Sequence, residues 1–224
     1  MLKTAAHQLK NIRAAMYNLV ATVLDKNKLI LHALEAHDID ALLELKKSYQ
    51  KSLENEASKA DDKIISTLAL YHPGGKDLRE MVVFLKISNE VVRAYSNTRS
   101  FTRKFCHNFT DDLEQAIILE YVTPLQKSAV DALTTTLAMI NLIDKELVTE
   151  RFRQVLVEES KADDLYKMVE KNILKLINQN QDLSKEYQDI LSAVRRIEKI
   201  SDRALSIAHL LIYAKLGGEI NQLL

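Results

Sequence analysis

The stretch Val194–Gly218, VRRIEKISDRALSIAHLLIYAKLGG, decides the fold. Leu191, Val194, Ile197, Ser201, Leu205, Ala208 and Ile212 recur every three or four positions, which makes one face of an amphipathic helix. Gly217 and Gly218 supply its stop. Glu198 and Asp202 lie four apart beside that apolar stripe. Side chains at this spacing stand one above the other, so the two carboxylates aim at a common point close to the core. Two anions placed there are costly unless something positive meets them.

Working outward, the composition agrees with a helical chain. Four Gly and two Pro among 224 residues, with 47% apolar and 28% charged side chains, suit helices that pack. Sheets need more turns and favour Val, Thr and aromatics. The predicted class is all-α. The 31 basic residues balance the 31 acidic ones, so there is no net field to hold nucleic acid or an anionic bilayer. The one cysteine, Cys106, rules out an intrachain disulfide and points to a reducing compartment. The N-terminus MLKTAAHQLKNIR lacks the features of a signal peptide, and no apolar run nears the roughly 18 residues that span a bilayer. A soluble, cytoplasmic protein without membrane insertion is expected.

Apolar spacing predicts a first long helix from about Leu2 to Ala36. A second runs from an Asp38 N-cap to about Tyr71, where His72-Pro73-Gly74-Gly75 must end it. A third begins near Asp77 and reaches about Phe105. Beyond Asn108, Thr123-Pro124-Leu125-Gln126 combines a hydroxyl cap, Pro at the first helical position and Gln at the third. This predicts a joint at Pro124 and a fresh helix to about Asp144. A fifth helix follows from about Leu147 to Gln179 and a sixth from Lys185 to Leu216. Ser58-Lys59-Ala60-Asp61-Asp62 recurs as Ser160-Lys161-Ala162-Asp163-Asp164, 102 residues later, each copy late in the second helix of a trio. The expected architecture is two tandem, pseudo-repeated antiparallel three-helix bundles, residues 1–108 and 109–224.

Phase singles out four acids. Glu159 takes an apolar place in the series Phe152, Val155, Glu159, Ala162, Tyr166, Val169, Ile173, and Asp163 lies one turn on. Glu198 and Asp202 do the same on the next helix. Adjacent antiparallel helices would bring all four together, and an all-oxygen site suits iron, manganese, magnesium or calcium better than zinc. His209, seven residues after Asp202, offers a further ligand or a supporting donor. The bland alternative pairs these acids with Lys161, Arg195, Arg196 and Arg203 as ordinary surface bridges. A ferritin-like oxidase needs Glu-x-x-His, and none of the six histidines has Glu three positions before it. No Gly-rich phosphate loop exists for nucleotide hydrolysis.

His72 to Arg79, Leu85-Lys86-Ile87, and Glu198-Lys199-Ile200-Ser201-Asp202-Arg203-Ala204 ahead of Ile207-Ala208 resemble the PhoU family of phosphate-signalling proteins. That resemblance implies a cytoplasmic, often dimeric adaptor without turnover. Such adaptors repress phosphate uptake by linking a transporter ATPase to a membrane sensor kinase. It also implies that Glu159, Asp163, Glu198 and Asp202 hold a metal cluster, often iron. The matching positions of the first unit are Ala57, Asp61, Val92 and Ser96, so one site is expected in place of the family's two. Lys199 and Ser201 stand where the family usually has Arg and Gly. The competing readings are a metal-dependent hydrolase or oxidase on the same bundle, and a metal-free helical module like those attached to sodium-phosphate cotransporters.

Overall fold

The computed structural model describes residues 3–49 and 52–218, which form helices and no strand. The helices are α1 (Lys3–Glu35), α2 (Ile39–Lys47), α3 (Ser52–Tyr71), α4 (Gly75–Asn108), α5 (Gln115–Asn141), α6 (Lys145–Gln179) and α7 (Ser184–Leu216), with a 3-10 turn at Gln181–Leu183. The predicted start at Leu2 lies outside the described residues.

Local chemistry explains the ends. Asp38 caps α2 by accepting from the Ala41 N–H at 2.9 Å, and Asp144 caps α6 by accepting from Glu146 and Leu147. Such caps stabilise a helix by about 1 kcal/mol each. His72 takes a left-handed conformation (φ 44°) ahead of Pro73, which closes α3 where the sequence requires it. At the end of α7, Gly217 combines φ 77° with a position where a Cβ would lie 2.0 Å from Arg79 Nη1. No other residue type fits there without displacing that guanidinium.

Two expectations are corrected. The predicted second helix is divided: α2 ends at Lys47, and Gln50 and Lys51 lie outside the described residues. The Ser48 hydroxyl donates to the Leu45 carbonyl at 2.7 Å and accepts from Lys26 at 3.0 Å, so a side chain satisfies a carbonyl that the next turn would have used. The predicted joint at Pro124 is absent, since α5 runs through it from Gln115 to Asn141. A proline inside a helix costs about 3 kcal/mol. Here it lies on the exposed face, and the carbonyl it leaves unpaired belongs to Glu120, also exposed. Val122, Leu125, Ala129 and Leu133 are fully buried on the opposite face, and their packing outweighs the lost bond.

α1 with α2–α3 and α4 makes one trio, and α5, α6 and α7 make the other. Within each trio the outer pair runs parallel: Arg13 meets Glu80 and Asn27 meets Thr98 between α1 and α4, while Thr136 meets the Ala204 carbonyl between α5 and α7. The trios join through α4 lying antiparallel on α7, marked by Glu80–Lys215, Glu90–Arg203 and Lys104–Ser192, and through α1 on α5. One apolar core runs through both.

Polar groups are sealed inside that join. Gln126 Nε2 donates to the carbonyl and the side-chain oxygen of Asn27, both at 3.0 Å, and Asn27 Nδ2 donates to Thr98 Oγ1 at 2.9 Å. All three residues are wholly inaccessible. Gln126, read from sequence as part of a helix cap, thus ties α5 to α1 and α4. At one end of the same join, Glu80 takes a bidentate bond from Arg13 (2.8 and 2.9 Å to Nη2) and faces Lys215 Nζ at 3.5 Å. Burial pushes the Lys215 ammonium below its ordinary pKa, and Glu80 opposes that shift.

Candidate metal centre

Glu159 and Asp163 are a turn apart on α6, and Asp202 meets them from α7. Each offers a carboxylate oxygen, and these atoms all lie within 4.8 Å of one another. Each side chain is half-buried. The phase argument accounts for this placement: Ala162 beside them is fully buried, as are Ile197 and Ile200 on α7, so the acids border a closed apolar seam.

Glu198, one turn before Asp202, is turned to a different partner. Its Oε1 accepts from Lys199 Nζ at 2.9 Å, and its Oε2 is buried with no hydrogen bond. Lys199 Nζ also donates to Asp202 Oδ2 at 2.8 Å, and Arg203 Nη2 stands 3.8 Å from that oxygen. Of the four acids, Glu198 and Asp202 therefore contact one ammonium, Asp202 also has a more distant guanidinium, and Glu159 and Asp163 have no ion pair among the described residues. The electrostatics follow. Burial pushes the Glu159 carboxyl above its ordinary range, and Asp163, Asp202 and Glu198 push it further, against Lys199. Burial also raises Glu198, with the Lys199 hydrogen bond opposing it and Asp202 adding to it. Burial works against the Lys199 charge, yet the bonds to Asp202 and Glu198 hold its pKa above the ordinary value.

The donor set fits a hard cation. Two oxygens bound to one ion at roughly 2.0–2.6 Å stand at most about 5 Å apart, so three oxygens within 4.8 Å can meet one ion. The buried, unpartnered Glu198 Oε2 is the group such an ion would relieve once Lys199 withdraws.

His209 does not join the cluster. Seven residues carry it about 10 Å along α7. There it packs edge-on against Phe152 with ring centres 4.7 Å apart, and burial lowers its pKa. The bland pairings hold only in small part: Lys161 bridges Glu158, and Arg203 bridges Glu90 at 2.8 Å while keeping a looser 3.8 Å contact with Asp202. Lys199 is the internal cation instead. Its spacing of three to Asp202 on one helix was the legible signal. In the first trio, Ala57 is buried, Ser96 is exposed, and Asp61 has one buried oxygen without a partner. No comparable group of acids forms there among the described residues.

No helix among the described residues is long and apolar enough to cross a membrane. No curated protein matches the chain in sequence. The fold has close counterparts among solved structures. The phosphate transport system regulatory protein PhoU from Streptococcus pneumoniae superposes with a TM-score of 0.80 at 17% identity, over 96% of this chain and 98% of that one. PhoU from Pseudomonas aeruginosa does so with a TM-score of 0.64 at 19% identity, over 97% of this chain and all of that one. Residues 122–211 match the sequence model of the PhoU domain. That segment is similar to the PhoU domain, in a chain whose fold matches that of PhoU over 96% of its length.

Proposed function

We propose that this protein is a regulatory adaptor of phosphate uptake and phosphate-starvation signalling, acting in the cytoplasm without catalytic turnover. One observation carries the reading: Glu159, Asp163 and Asp202, the acids that converge, all lie inside the segment that matches the PhoU domain. Glu159, Asp163 and Asp202, with Glu198 once Lys199 moves aside, hold a metal, with iron the first choice and manganese, magnesium or calcium the alternatives. The metal supplies positive charge that lets α6 and α7 close their acidic edge. The helix faces are the working surface, offered to a phosphate transporter's ATPase and to a sensor kinase, in a homodimer. As a negative regulator, the protein holds uptake down when phosphate is plentiful.

Two measurements test this. Phosphate uptake in phosphate-rich medium should rise when the gene is deleted and return with the wild-type copy; unchanged uptake would falsify the regulatory role. Elemental mass spectrometry on protein purified without chelators should show bound metal that the Glu159→Gln/Glu198→Gln double variant loses. Equal metal content in both proteins would remove the site.

A further inference from the structure

Midway along the join between α4 and α7 lies a surface cleft of about 310 Å³, lined by Arg93, Ser96, Asn97, Arg196, Lys199 and Arg203. Four of the six residues are cations, the other two are neutral side chains that can donate, and no carboxylate lines the cleft. The anions behind it are already shared. Glu90 accepts from Arg203 at 2.8 Å and from Arg93 at 3.4 Å, while Lys199 is held by Glu198 and Asp202. Arg196, Ser96 and Asn97 have no hydrogen-bond or ion-pair partner among the described residues.

We propose that this cleft binds a small phosphate-bearing anion, either inorganic phosphate or the terminal group of a phosphate monoester. A concave site lined by one sign of charge concentrates the field and draws in the opposite charge. Guanidinium groups match tetrahedral oxyanions with paired, charge-assisted N–H donors, and the Ser96 hydroxyl and the Asn97 NH2 can each add a neutral donor. The volume sits at the small end of ligand pockets, large enough for one or two phosphate groups and too short for a polymer track. The balanced overall charge likewise argues against a nucleic acid. Ser96 has a particular part in this: it is exposed and lines the cleft, so an acid there would set a negative charge among its cations.

Chelator-treated, full-length protein tests the proposal apart from the metal reading. Isothermal titration at constant ionic strength, with inorganic phosphate in one arm and glycerol 3-phosphate in the other, should show one saturable site. Arg196→Ala should weaken binding about tenfold or more, as loss of a charge-assisted contact does. Ser96→Asp, at an exposed position that leaves every cation in place, should do the same, with thermal melts confirming that both variants fold. Saturation in either arm that depends on Arg196 supports the site and identifies the ligand's form. No saturation in either arm up to about 10 mM, or binding indifferent to both variants, overturns it.

Discussion

Two charge clusters touch α7, and they are balanced in opposite ways. At Glu80, one carboxylate meets Arg13 and Lys215, and the Glu80 and Lys215 side chains are only 3% and 4% exposed. At the α6–α7 edge, four carboxylates stand near Lys199, which pairs with Glu198 and Asp202, and Arg203 reaches Asp202 more remotely, with Glu198 and Asp202 at 13% and 20% exposed. The first cluster is complete without any added group and sits deep in the join between trios. The second carries surplus negative charge at the lip of the bundle, where an ion can enter. A buried pair with its partners in place serves the fold, whereas an uncompensated set invites a ligand.

The largest expected effect breaks the complete cluster. Glu80→Ala leaves Lys215 buried without its counter-charge and should cost about 3–5 kcal/mol. Urea melts should show this as a lower midpoint, and replacing Glu80 and Lys215 together by Met should recover most of the loss. Retained stability in the single variant would mean that the two clusters differ less than their geometry implies.

Next comes the cation that the other cluster lacks. Manganese at about a hundred times its Kd should stabilise the wild type by about 2.7 kcal/mol. For a chain of this size that raises Tm by roughly 5–10 °C. Glu159→Gln/Asp163→Asn should show no such rise, while Asp61→Asn in the first trio should respond like wild type. A thermal shift series with and without metal decides it.

The smallest effect appears without metal. Glu159 and Glu198 have folded-state pKa values raised above the ordinary glutamate value of 4.5. Between that value and the raised ones the folded protein holds protons that the unfolded chain has lost, so stability falls as pH climbs through the window. Glu159→Gln should therefore stabilise the metal-free protein at neutral pH, by about 0.5–1 kcal/mol given solvent screening. The gain should shrink to nothing near pH 4.5. Denaturant melts at both pH values check the sign, and destabilisation at neutral pH would show that Lys199 already satisfies the cluster.

Much of this was legible in the residues. The long helices α1, α4, α6 and α7 followed from apolar spacing, and the cap at Asp38 from residue type, whereas Asp144, read as the end of the preceding helix, caps the next one. The breaks were less so. Ser48 ends α2 by a side-chain bond that residue type alone does not call for, and Pro124 is overruled by apolar packing on the far side of α5. The convergence of Glu159, Asp163 and Asp202 came from phase, since acids took places due to apolar residues. Phase fixes the side a residue faces but not its partner. It therefore could not show that Lys199 would take Glu198, that His209 would stack on Phe152, or that Gln126 would reach Asn27 across 99 residues. The first two choices depend on how side chains settle within the second trio, and the third on how the trios meet.

That meeting has a mechanical side. Two amides and a hydroxyl pinned between α1, α4 and α5 act as a dowel: sliding either trio by one turn, about 5.4 Å, would strand several dry donors and acceptors at once. Strain applied to this molecule by a bound neighbour is therefore carried as a tilt about Asn27, Thr98 and Gln126, with the far ends of the long helices sweeping widest.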